Sequence, residues 1–274
     1  MRKETAFLAM LAIAALSGCR RERLQESFVA IDNGLIVNAL DETQSIVNQE
    51  AGNHGFAGLS NGSGEVFRTA ADCPEVTFSA PIGTFPNTMT IDFGTGCTGY
   101  YGVERSGKII ATFTGPYPEA GTVITTTTED YYVNGNLVEG TRTVTNMGTN
   151  DAGNIWFTVV TEGGHVHLSS GEDIYANINH EREWIEGAGG LPVWDDVYLI
   201  SGTESGTNRF GIDFTATITD PLRRELDCRW PTSGTRVIST ADHPDREIDF
   251  GDGECDNIAT VTVDGDSFEI ELPL

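Results

Sequence analysis

The chain is expected to be all-β: an antiparallel sandwich or large curled sheet, preceded by a short N-terminal amphipathic helix. Three observations carry this. From about Val66 onward the sequence consists of short runs rich in Val, Ile, Thr, Phe and Tyr, punctuated by Gly, Asn and Asp. Ile212, Phe214, Ala216 and Ile218 alternate with Asp213, Thr215, Thr217 and Thr219, giving one buried and one solvated face. Antiparallel connections dominate, and no second convincing helical stretch follows the first.

Residues 1–18 read as a secretory signal. A basic start (Arg2, Lys3) precedes an apolar run from Phe7 to Leu16 and the small residues Ser17 and Gly18. The run is too short to span a bilayer as a helix. Leu16-Ser17-Gly18-Cys19 resembles the lipobox of bacterial lipoproteins. That resemblance implies cleavage before Cys19, a diacylglycerol on its thiol and an acylated amino group, and two or more acyl chains anchor a protein stably. Arg20, Arg21 and Arg23 follow, with neither an Asp directly after the cysteine nor an acidic run. The expected address is the outer membrane facing the periplasm, with surface display as the alternative.

Residues 19–62 are expected to be a tether and helical segment, and 63–274 the β domain. Between about Leu24 and Gln49, Phe28, Ile31, Leu35, Ala39 and Leu40 recur at helical spacing, with Gly34 as a weak point. This gives an amphipathic helix, or two short ones, between tether and domain. Gly52–Gly64 then reads as a loop. Two-residue turns follow at Asn134-Gly135, between the Thr-rich run ending at Tyr132 and the run through Val144, and at Gly163-Gly164. A third at Asp264-Gly265 sets Val263 opposite Asp266, Val261 opposite Phe268 and Ala259 opposite Ile270, so turn and hydrophobic pattern agree. Thr125–Thr128 reads as a strand with a hydroxyl-rich exposed face.

The formal charge is −25, and removing residues 1–18 (Arg2, Lys3, Glu4; net +1) makes it −26. Such a chain repels phosphate backbones, which argues against nucleic acid as a partner. About 250 mature residues suffice for one large β domain or two small ones. With Cys19 assigned to lipid, Cys73, Cys97, Cys228 and Cys255 remain, an even set for an oxidising compartment. Four cysteines allow three pairings. Recurrence favours Cys73–Cys97 and Cys228–Cys255, since Ile91-Asp92-Phe93-Gly94-Thr95-Gly96-Cys97 matches Ile248-Asp249-Phe250-Gly251-Asp252-Gly253-Glu254-Cys255. No CxxC spacing suggests metal or redox use.

Three constellations could carry chemistry. Asp249, Asp252, Glu254 and Asp256 crowd hard oxygens around glycines, as Ca²⁺ requires, but without EF-hand spacing; the first copy keeps Asp92 and has Thr95 at the second acid. The bland reading is an acidic turn beside a disulfide. IDFGDG also resembles the WDFGDG turn of PKD-type modules, over six residues only, which implies shared turn chemistry. His165 and His167, two apart on a strand, share a face, and a Gly163-Gly164 turn would set Glu162 opposite His165, giving three ligands for Zn²⁺. Against this stands an exposed Glu–His pair on a polar sheet face. Trp156, Trp184, Trp194 and Trp230, with Tyr100-Tyr101 and Tyr131-Tyr132, could form a glycan-stacking platform, or simply pack. No phosphate-cradling loop or helical H-E-x-x-H is present, so an enzyme is unsupported.

The lipobox, the early helix, Cys73-Pro74 leading to Thr90–Cys97, then Arg105-Ser106-Gly107-Lys108-Ile109-Ile110, and later Asp249–Gly253 with Cys255-Asp256-Asn257, together resemble uncharacterised cell-envelope lipoproteins of the Bacteroidota. The resemblance covers most of the mature chain and implies class and location, with no activity to carry over. The expected function is that of a membrane-anchored envelope lipoprotein with a non-catalytic structural or protein-binding role. The alternatives are a glycan-binding module and a metal-dependent hydrolase on the Glu162, His165, His167 face.

Overall fold

A computed structural model describes the backbone of residues 4–56, 73–99, 102–188, 195–241 and 243–272, and side chains from Phe28 onward. The Cys19 side chain, Trp194, Tyr100 and Tyr101 lie outside the described residues. Among the described residues one helix, α1 (Glu4–Asn53), precedes fourteen strands. They are β1 (Glu75–Phe78), β2 (Asn87–Asp92), β3 (Cys97–Thr98), β4 (Glu104–Phe113), β5 (Val123–Val133), β6 (Asn136–Thr149) and β7 (Ile155–His167). After these come β8 (Asp173–Glu186), β9 (Val197–Thr207), β10 (Asp213–Glu225), β11 (Ser233–Thr240), β12 (His243–Asp252), β13 (Ile258–Val263) and β14 (Asp266–Glu271).

The strands form one antiparallel meander in chain order, with β3 alone off the path and paired to β4. The sheet is open, since β1 and β14 do not pair. It is nonetheless curled, because both of its halves pack on the same helix. Ile36, Val37, Leu40, Ile46 and Val47 join Met89, Ile109, Phe157 and Ile174 from β2, β4, β7 and β8. Val29 and Ala30, near the other end, join Phe214, Ile238, Ile248 and Val261 from β10 to β13. The sandwich alternative is therefore not the one adopted.

No residue from Phe28 to Gly52 is exposed, so α1 is the middle of the core and not a spacer beside it. An amphipathic helix can be enclosed this way only if its polar face is answered from the sheet. Arginines on inward-facing strand positions and neighbouring loops answer it. Glu42 pairs with Arg105 and, at 2.9 Å, Arg229; Asp41 pairs with Arg142; Asp32 accepts Arg209 Nε at 2.8 Å. Burial pushes the Asp41 carboxyl up, but Arg142, His180 and Arg224 pull it further down, below its ordinary range.

The hairpins at Asn134-Gly135 and Asp264-Gly265 form as expected. All four residues have positive φ, between 49° and 85°, as a type I′ turn demands. The observed register pairs Val263 with Asp266, Val261 with Phe268 and Ala259 with Ile270. Cys73 and Cys97 stand at disulfide distance (Cα–Cα 6.3 Å) around the β1–β2 hairpin, as do Cys228 and Cys255 (5.7 Å) around β11–β12. The two IDFG copies share a conformation. Phe93 and Phe250 are buried, Gly94 and Gly251 have positive φ, and Asp92 and Asp249 each accept the N–H two residues on at 2.8 Å.

Candidate functional site

Gly163-Gly164 is not a hairpin turn: β7 runs through it. The pairing with β8 shifts between Thr161 and Gly164, a bulge whose extra residue, Gly163, has φ 60°. Gly164 faces inward, where a Cβ would lie 2.6 Å from the Ala176 carbonyl oxygen and 3.0 Å from Leu40 Cδ1. The glycine pair thus marks the close approach of α1 to the sheet, which leaves the same sequence trace as a turn.

This moves Glu162 away from the expected histidine set. It pairs across β6 with Thr141, whereas His165 pairs with Glu139 on one side and Tyr175 on the other. The real turn lies at Leu168–Glu172, closed by Gly171 N–H to the Leu168 carbonyl and by Leu168 N–H to the Glu172 carbonyl, both at 2.8 Å. It sets Asp173 opposite His167.

Four side chains converge on this outer face. His165 Nδ1 is 2.9 Å from Glu139 Oε2, and its Nε2 is 2.8 Å from Asp173 Oδ1. His167 Nδ1 is 2.7 Å from the same Asp173 oxygen. The His165 ring stacks on Tyr175, with centroids 4.6 Å apart and planes within 8°. Hydrogen bonds from His165 and His167 hold the Asp173 carboxyl below its ordinary range. Partial burial works against protonation of His165, but its bonds to Asp173 and Glu139 raise it overall. Among the described residues, His165, His167 and Asp173 are the group of three whose potential ligand atoms all lie within 4.8 Å of one another. Sequence reasoning found both histidines and missed Asp173 and Glu139. The Ser169-Ser170-Gly171 turn signal was the one local clue to Asp173.

One strand level away on the same face, an open groove of about 570 Å³ crosses β7 to β10. Its exposed residues are Asn177 and Asn179, Thr203 and Ser205, Thr215 and Thr217, aligned across the strands by register, with the Glu162 carboxylate of β7 beside them. The cavities described around α1, by contrast, hold only about 20–30 Å³ each, room for water and not for a substrate.

The other sequence candidates are dispersed. Trp184 is buried and packs on Tyr117, Phe157 and Tyr198; Trp156 and Trp230 are half-buried. Tyr131 is buried while Tyr132 is exposed, so the described aromatics form no stacking row. Thr126 turns inward, its hydroxyl 3.3 Å from Gln44 Oε1. Asp249 and Asp256 each accept a backbone N–H of their own turn, Asp256 from Ile258 at 2.9 Å. Compared with protein-family models, curated proteins and solved structures, the chain matches none.

Proposed function

We propose that this chain is a lipid-anchored envelope protein, held at the outer membrane through acylated Cys19, whose β domain serves a non-catalytic role by binding another protein on its outer face. The observation that carries the reading is the filling of the interior by α1. The place where an enzyme or carrier of this shape would hold a small molecule is occupied by helix, and the cavities described around α1 are water-sized. Recognition then falls to the surface, where the groove presents an Asn/Ser/Thr floor with the Glu162 carboxylate at its β7 side. The dispersed aromatics weigh against sugar stacking.

The anchor also fits the architecture. Helix α1 is unbroken from Glu4, so Cys19 would stand nine residues, about 14 Å of helix, before the enclosed segment begins at Phe28. Cys19→Ser should move the protein from the membrane to the soluble fraction; unchanged fractionation would refute the anchor. A photo-crosslinker at Thr203 in intact envelopes should give a discrete adduct that Asn179→Arg abolishes. Equal crosslinking from Thr262, on the far strand β13, would refute the groove as the contact.

A further inference from the structure

We infer that His165 Nε2, His167 Nδ1 and a carboxylate oxygen of Asp173 bind a divalent transition-metal ion of the Zn²⁺ class, with Glu139 orienting His165. The inference is independent of the function proposed above.

The ligand set comes first. Two imidazoles and one carboxylate are borderline and hard donors that suit Zn²⁺ and leave a fourth position open, whereas Ca²⁺ and Mg²⁺ prefer all-oxygen sites. The backbone fixes the set without loop rearrangement. His165 and His167 share a face by strand periodicity, and the β7–β8 register places Asp173 beside His167.

The hydrogen-bonding state is the second argument. His165 Nδ1 lies 2.9 Å from Glu139 Oε2, and in the tautomer that places its proton toward Glu139 the Nε2 lone pair faces the Asp173 oxygen 2.8 Å away. His167 Nδ1 meets that same oxygen at 2.7 Å. In that tautomer one ion placed between His165 Nε2, His167 Nδ1 and the Asp173 oxygen engages all three atoms. Carboxylate–imidazole–metal relays have this arrangement, with the outer carboxylate selecting the tautomer that leaves Nε2 free to coordinate.

The geometry is close to what coordination requires. With metal bonds of about 2.0–2.2 Å, tetrahedral ligand atoms lie about 3.3 Å apart. Opening the present contacts of 2.7 and 2.8 Å by about half an ångström needs only side-chain rotation. Room exists for it, since His167 and Asp173 side chains are 47% and 40% exposed and His165 is 19% exposed. The face also opens to solvent, which gives an ion an entry path.

The test is calorimetric titration of the full chain, solubilised in detergent, with Zn²⁺. Saturable binding of one ion is expected, lost in His165→Ala, His167→Ala and Asp173→Ala. Glu139→Gln should weaken it about tenfold, and Glu162→Gln should leave it unchanged. Circular dichroism confirms that each variant is folded, which these outer-face positions permit. Co²⁺ supplies a second readout, because a tetrahedral site produces intense visible bands that the same three alanine variants must abolish. Absence of saturable Zn²⁺ heat, or wild-type binding by Asp173→Ala, overturns the site. Loss of binding in Glu162→Gln overturns this ligand set.

Discussion

Glu204 is the hub of the enclosed polar network, and Glu204→Gln tests whether that network holds helix and sheet together. Its Oε1 lies 2.9 Å from His180 Nε2 and 3.1 Å from Arg236 Nη2, and its Oε2 accepts the Asn33 amide of α1. Arg236 Nη1 donates back to Asn33 Oδ1 at 2.7 Å. The side chains of Glu204, His180 and Arg236 are at most 4% exposed. Removing the carboxylate leaves the Arg236 charge without its acid in a buried site, which costs about 3–5 kcal/mol. Linkage gives a similar size. Burial pushes the Glu204 carboxyl up, yet Arg236, His180 and Asn33 outweigh it and hold it at about 2 against an ordinary 4.5. That difference corresponds to about 3 kcal/mol. Because the folded-state value is depressed, the contribution is full above pH 4.5 and fades as the pH falls toward 2. Urea unfolding at pH 7 should show the loss directly, with a melting temperature about 10 °C lower. The acid limb of stability against pH should be flatter in the variant. Arg236→Met combined with Glu204→Gln should recover about 2 kcal/mol relative to additivity. A single-variant cost below about 1 kcal/mol, or strict additivity, would refute the reasoning.

Two further predictions probe the fold. Burial raises Asp196 to about 7, with the neighbouring Asp195 charge adding to it, so its ionisation opposes folding as the pH rises through that value. Asp196→Asn should therefore gain stability over wild type at pH 8 and not at pH 4; identical pH profiles in thermal melts would count against the assignment. Gly202 in β9 has φ 126°, and a Cβ there would meet the Asn179 carbonyl oxygen at 2.2 Å. Gly202→Ala should cost about 2–4 kcal/mol, whereas Gly211→Ala, with nothing within 4 Å, should cost about 1 kcal/mol. Equal costs in chemical denaturation would show that the close approach is not what selects glycine at 202.

The sequence by itself determined the features set by neighbours along the chain. Alternation assigned the faces of β10, and the Asn134-Gly135 and Asp264-Gly265 dipeptides fixed turn type and register because few residues accept positive φ. The recurring IDFG segment pointed to the cysteine pairs that stand together, since one local conformation serves both copies. Strand periodicity also put His165 and His167 on one face. What only the tertiary structure decided depends on residues far apart in sequence. Enclosure of α1 rests on partners such as Asn33 and Glu204, separated by 171 positions, and no periodicity records that a helix carboxylate or amide will meet an inward strand residue. Gly163-Gly164 looked like a turn because its real cause, Leu40 and the β8 backbone pressing from inside, lies on other elements. Asp173 replaced Glu162 beside the histidines for the same reason: a bulge changes which residues face each other across strands, and its position is set by where the helix touches the sheet.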